Sequence, residues 1–173
     1  MTNLRLLASL LAFGLLAPAV HAQRETAPAG VQNYTRVDAT VACAGATPVE
    51  TLPELKKSGF AAVINFQTRE EQGARIDEAM ATAAKVGLRY IYLPHRTPTA
   101  EVAAAFLKAV SDPANQPVYI HCASGNRVAA MWLIKRVKLD GWDADRAMKE
   151  AEALGLRSAG LKQFALDYVS TPR

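Results

Sequence analysis

The sequence predicts an α/β fold, a single domain whose central sheet is mainly parallel and flanked by helices. Three observations predict it. Short β-prone apolar runs alternate along the chain with segments whose apolar residues recur at helical spacing, the pattern of successive βαβ units. No internal repeat interrupts that alternation. The 173 residues suffice for one ordinary core and are too few to divide comfortably into two.

Each element follows from local chemistry. Residues 23–33 are polar with Pro and Gly and read as a flexible lead-in, so the domain is expected over 34–173. A first strand is read around Val41-Ala42-Cys43-Ala44-Gly45. Thr47-Pro48-Val49-Glu50 then opens a helix as a capping box with Pro at the first helical position, and Pro53 restarts that helix at Thr51. After Gly59, Phe60-Ala61-Ala62-Val63-Ile64-Asn65-Phe66 reads as a buried strand. Ile76, Met80, Ala83 and Ala84 recur at helical spacing until Gly87 stops them. Tyr90-Ile91-Tyr92-Leu93 is a second buried strand, and Val102, Phe106 and Val110 form a helical stripe begun by the Thr97-Pro98-Thr99 turn. Pro117-Val118-Tyr119-Ile120-His121 is a third buried strand. Residues 128–137 read as a helix apolar on one face, with Met131, Trp132 and Leu133 turned to the core. Helices over 143–154 and 159–169 close the chain.

The beginning of the chain reads differently. Arg5 is the only charge ahead of an apolar run over 6–16, and Ala17-Pro18-Ala19-Val20-His21-Ala22 ends in small residues. A positive start, a short apolar middle and a small-residue finish mark 1–22 as a secretory signal peptide cleaved after Ala22. The run is shorter than the ~20 apolar residues of a bilayer span. The expected location is therefore periplasmic or secreted, with no stable membrane insertion after cleavage.

Composition excludes several classes of function. The net charge of +4 is mild, basic residues form no block, and the sparse aromatics are not interleaved with them, which argues against a nucleic-acid partner. No metal-ligand cluster or dinucleotide fingerprint appears, so neither metal nor cofactor is expected. Cys43 and Cys122 are the two cysteines. Cys43 reads as an unpaired buried residue, with a reversible disulfide to Cys122 as the alternative in an exported protein.

The chemistry concentrates where the third strand ends. In a parallel sheet ligands sit at the carboxyl ends of the strands, and there the chain reads His121-Cys122-Ala123-Ser124-Gly125-Asn126-Arg127 before a helix begins. Ala123, Ser124, Gly125 and Asn126 are small or tolerant of positive φ, so the turn can curl with its amides pointing inward as an anion nest. Such dipoles favour the nucleophilic thiolate of a Cys at the mouth. Arg127 supplies a planar fork suited to a tetrahedral oxyanion. His121 is read as orienting the loop, and Ser124 as shaping the cradle, since no His–Asp pair accompanies it.

The loop and its flanks resemble the cysteine-phosphatase superfamily of protein tyrosine and dual-specificity phosphatases. They resemble the bacterial beta-lactamase-hydrolase-like phosphatase family more closely. The resemblance runs from about Val41 to Leu156 and takes in Gly45-Ala46-Thr47-Pro48, the 59–66 stretch with Arg69 and Glu70 beyond it, and the 121–127 loop. It implies a dual-specificity-phosphatase-like fold and a covalent cysteinyl intermediate. Cys122 would attack phosphorus, Arg127 and the loop amides would hold the equatorial oxygens, and water would release phosphate.

Three positions depart from the phosphatase pattern. Four residues separate Cys122 from Arg127 where the signature has five, removing up to ~3.3 Å of contour and one amide donor. Val128 stands where Ser or Thr is usual. Leu93-Pro94-His95-Arg96-Thr97-Pro98-Thr99 lacks the customary general-acid Asp, leaving His95 as the possible acid. The shortened loop has the length found in rhodanese-type sulfurtransferases, whose Cys carries a persulfide.

Arg69 and Arg96 each follow a predicted strand on the same rim and are candidate contacts for an anionic substrate. Glu70 and Glu71 read as solvated, with pairing to a nearby Arg as the alternative. The function expected is hydrolysis of phosphomonoesters, with a phosphorylated or other anionic substrate. The alternatives are a sulfurtransferase using a Cys122 persulfide and a catalytically weak anion- or phosphoprotein-binding module.

Overall fold

The computed structural model describes residues 26–171. The expected signal peptide, 1–22, and its cleavage point lie outside the described residues. Five strands form one sheet: β1 (Thr35–Arg36), β2 (Val41–Ala44), β3 (Ala62–Asn65), β4 (Arg89–Tyr92) and β5 (Val118–His121). Their spatial order is β1-β2-β5-β3-β4, parallel throughout except for β1. The helices are α1 (Leu52–Lys57), α2 (Ile76–Val86), α3 (Ala100–Ser111), α4 (Asn126–Lys138), α5 (Ala144–Ala153) and α6 (Ala159–Ser170). Among the described residues no helix is long and apolar enough to cross a membrane.

The period-2 alternation of strand side chains divides the core. Ile64, Ile120 and Cys43 join α3, α4, α5 and α6 on one face of the sheet, whereas Val63, Tyr119 and Ala42 join α1 and α2 on the other. β5 is central, with Ile120 opposite Cys43 on one side and Ile64 on the other. Its carboxyl end therefore opens between two neighbouring strand ends.

Four expectations change. Tyr90, Ile91 and Tyr92 are only half-buried because β4 is an edge strand covered on fewer sides than β3 or β5. The helix after the loop is not apolar on one face only: Val128 through Ile134 are all buried, because α4 lies between the sheet and its neighbouring helices. The Thr47 capping box does not form. Thr47 Oγ1 meets the Tyr119 hydroxyl at 2.7 Å and the Gly45 carbonyl at 3.1 Å instead. A 3-10 turn, Val49–Thr51, precedes α1, since Pro53 has no N–H to bond the Val49 carbonyl and Leu52 takes it instead. Finally, the lead-in is fixed from Pro28 onward. Val31 N–H bonds the Pro28 carbonyl, and Gln32 exchanges backbone bonds with Ala46 and Gly45.

Candidate active site

The β5–α4 connection places Cys122 fully buried at the carboxyl end of the central strand. Gly125 is the N-cap of α4 at φ +89°, a left-handed conformation that favours glycine. That turn directs the Gly125 N–H onto Cys122 Sγ at 3.1 Å. The thiol thus sits against the positive end of a thirteen-residue helix, whose first-turn amides have no intrahelical acceptors.

Three contacts support the loop from behind. A Cβ at Gly45 would lie 3.2 Å from the Ser124 carbonyl carbon and 3.3 Å from the Ala123 oxygen, so only glycine lets the 45–48 turn approach this closely. Asn33, at φ +49°, donates from Nδ2 to the Ser124 carbonyl at 2.9 Å. Asn126 Oδ1 accepts the amides of Arg157 at 2.7 Å and Ser158 at 3.0 Å. The Asn126 side chain is therefore committed to the α5–α6 turn. Ser124 is exposed, its hydroxyl accepting from Asn126 Nδ2 at 3.4 Å.

Arg127 is held on several sides. Its Nη1 donates to the Phe66 carbonyl at 2.9 Å, the His95 carbonyl at 2.6 Å and Glu71 Oε1 at 2.7 Å, and Nη2 donates to Glu71 Oε2 at 2.6 Å. The two side chains are only 11% and 10% exposed. Burial pulls the guanidinium pKa down, but Glu71 and the adjacent Cys122 outweigh it and leave it above its ordinary value. Burial likewise raises the Glu71 carboxyl, yet Arg127 and the Thr68 amide bring it below the usual range. Glu71 is thus not solvated. The sequence shows two adjacent glutamates and no local signal that separates them, whereas Glu70 is exposed.

His95 is buried. Its N–H bonds the Phe66 carbonyl at 3.2 Å, its ring packs 4.9 Å from the Phe66 ring, and Nδ1 lies 2.9 Å from the Leu93 carbonyl. A carbonyl only accepts, so Nδ1 carries the proton and the buried Nε2, which has no partner among the described residues, is bare. Burial and then the Arg127 charge depress this histidine, while the Leu93 carbonyl and Glu71 act against them. A neutral ring with a bare Nε2 has no proton to donate there, which counts against the acid role expected for it.

His121 alternates onto the opposite face of the sheet, beside Tyr119 with ring centroids 5.9 Å apart. Burial and the charge of Arg127 push it down to about 3, with the Cys122 backbone opposing them. Its buried Nδ1 has no hydrogen-bond partner among the described residues. It lines a cleft with Asn65, Gln67 and Tyr90 on the α1–α2 side.

Arg69 is exposed and paired with Asp77 at 2.5 Å, its guanidinium 5.8 Å from the Tyr92 ring. Arg96 is exposed and, with Arg69, helps hold Glu70 below the usual carboxylate range, after the hydrogen bonds at Glu70's own backbone and at Thr68. Both arginines stand on the rim and neither reaches inward as Arg127 does.

Cys43 and Cys122 are free thiols. Cys43 pairs in register with Ile120, two residues before Cys122. Strand spacing and rise then separate the two Cα atoms by roughly 8 Å, beyond the ~7 Å limit for a disulfide without backbone movement. Burial pushes the Cys43 thiol well above its ordinary value, with Glu150 adding to the rise, so it stays protonated.

Residues 31–139 match the family described as beta-lactamase hydrolase-like protein, phosphatase-like domain. No curated protein matches the sequence. Among solved structures the chain is similar to the DUF442 protein of Shewanella putrefaciens CN-32, with 22% identity and a TM-score of 0.68 over 82% of this chain and 93% of that one. It is similar to TpbA of P. aeruginosa, with 20% identity and a TM-score of 0.62 over 82% and 89%. It is also similar to the core catalytic domain of the PP-IP phosphatase SIW14 of S. cerevisiae, with 18% identity and a TM-score of 0.63 over 78% and 84%. At these identities the structural likeness establishes the fold.

Proposed function

The chain belongs to the family of phosphatase-like domains of beta-lactamase hydrolase-like proteins, and from that premise we propose that it hydrolyses phosphomonoesters through a cysteinyl-phosphate at Cys122. One observation carries the reading. Sγ sits on the N-cap amide of α4, and Arg127, in the first turn of the same helix, is clamped by Glu71 and two carbonyls. That clamp occupies Nη1 and one side of Nη2, leaving the rest of the fork for the equatorial oxygens of a phosphoryl group. The thiolate attacks phosphorus, loop amides and Arg127 stabilise the charge developing on the oxygens, and water later cleaves the S–P bond. TpbA has been solved with phosphotyrosine, which supports a phosphorylated substrate here.

A sulfurtransferase is the second reading, favoured by the four-residue spacing between Cys122 and Arg127. It needs the thiolate and the anion nest but no acid. The leader pattern of 1–22 supports export to the periplasm or beyond, which amino-terminal sequencing of the secreted chain would test.

Purified under reducing conditions, the wild-type chain should turn over p-nitrophenyl phosphate, and Cys122→Ser should abolish that turnover. Equal rates in both proteins would sink the mechanism. A wild type that is silent on the ester but gains one sulfur at Cys122 from thiosulfate would establish the second reading instead.

A further inference from the structure

We propose that this site selects substrates by their leaving group: it acts on phosphoryl donors whose leaving oxygen departs as a weakly basic anion, such as a phenoxide or a phosphate, and not on alkyl phosphomonoesters. The proposal rests on the phosphatase reading and narrows it.

The carboxyl and imidazole groups around the loop offer no proton to a leaving oxygen. The 93–99 segment, which leaves β4 and reaches Arg127 through the His95 carbonyl, contains no carboxylic acid. Its one titratable group near neutrality, His95, is fixed by four contacts. Its N–H is on Phe66, its carbonyl on Arg127, its ring against Phe66, and its Nδ1 on the Leu93 carbonyl. The proton it holds is spent on Leu93, and Nε2 can only accept. The charged groups facing it are Arg127, which opposes a second proton, and Glu71, whose two oxygens are both bonded to Arg127. The rim carboxylates are ionised as well. Glu70 stands beside Arg96 and Arg69, and Glu101 is bonded by Thr99 in the first turn of α3.

The chemistry follows from that inventory. The Sγ–P bond forms as the P–O bond breaks, and its electron pair leaves on oxygen as RO⁻ with no proton transferred. RO⁻ takes a proton from bulk water only after departure. Water then attacks phosphorus, the S–P pair returns to sulfur, and the water's proton passes to the released phosphate or to solvent. Without a proton delivered in the transition state, the rate must follow the basicity of the leaving group. An alkoxide is the worst case, while a phenoxide or an anhydride phosphate is tolerable.

The test is a series of substituted aryl phosphates whose phenols differ in acidity, assayed with the full chain against a Cys122→Ser blank. We expect kcat/KM to fall on the order of tenfold for each unit by which the leaving group's pKa rises, with no Cys122-dependent turnover of glycerol phosphate. His95→Gln should leave that slope unchanged, whatever it does to the absolute rate. A flat dependence on leaving group in the wild type overturns the proposal while leaving the cysteinyl-phosphate standing. So does a slope that steepens in His95→Gln, because it would identify His95 as a proton donor. Failure to turn over even the most acidic phenol would instead overturn the phosphatase reading, and this inference with it.

Discussion

Arg127 enters the site already oriented, with Glu71 binding both guanidinium ends and two backbone carbonyls taking the rest of Nη1. Holding the fork before substrate arrives removes an ordering cost from the binding step. Glu71→Gln keeps the shape of the clamp and removes its charge. Charge-assisted hydrogen bonds of this kind contribute ~1.5–3 kcal/mol, so kcat/KM for p-nitrophenyl phosphate should fall on the order of 10- to 100-fold. Steady-state kinetics on a variant with unchanged circular dichroism would check this, and an undiminished rate would show that the carbonyls suffice. Arg127→Lys should cost more, because a point charge cannot satisfy Glu71 and an oxyanion at once. Cys122 and Arg127 announce themselves through the small residues between them, whereas Glu71 is indistinguishable from Glu70 until the chain folds.

The 121–127 loop and α4 act as one element, and their joint is Gly125. An alanine there would meet Leu154 O at 3.6 Å and Asn33 Cβ at 3.8 Å, ordinary contacts, so its cost comes from φ +89°. Left-handed backbone costs an L-residue ~1–2 kcal/mol. Gly125→Ala should therefore lower Tm by about 2–8 °C and also slow turnover, since relaxing the strain moves the N–H away from Sγ. Asn126→Ala removes the acceptor that ties the loop to the amides of Arg157 and Ser158. Loss of a comparable cap costs ~0.5–2 kcal/mol, and differential scanning calorimetry would show it. Most elements were readable from periodicity and punctuation, with Gly87 closing α2 and Thr99 capping α3. The first turn after Pro48 departs from its local pattern because Tyr119, from a distant strand, competes for the Thr47 hydroxyl.

For the molecule as a whole, acid should be the vulnerable side. His121 is buried neutral with its pKa pushed down to about 3, against an ordinary value of 6.5. Between those values the unfolded chain binds a proton that the folded chain refuses, so stability falls as pH drops below about 6.5 and is unaffected above it. The slope contributed approaches ~1.4 kcal/mol per pH unit. His95, also lowered, adds in the same direction. Glu71 adds at lower pH: its carboxyl is depressed in the fold, so its contribution holds above the ordinary carboxylate pKa and is lost as pH falls through the depressed one. Denaturant melts from pH 7.5 to 4.5, taken as a rough working range around the histidine pKa, should show this decline, and His121→Gln should flatten it. The kinds of elements, their order, the parallel α/β class and the Cys122–Arg127 loop are all legible in the residues. Those are written in spacings of a few residues, through side-chain period, proline, glycine and capping chemistry. It takes the folded molecule to set β4 at the edge, to close Glu71 on an arginine 56 residues away, to turn the Asn126 side chain to the α5–α6 turn, and to seal His95 as a neutral ring. Burial and ion pairing are set by segments that meet only when the chain closes, and no local pattern carries that information.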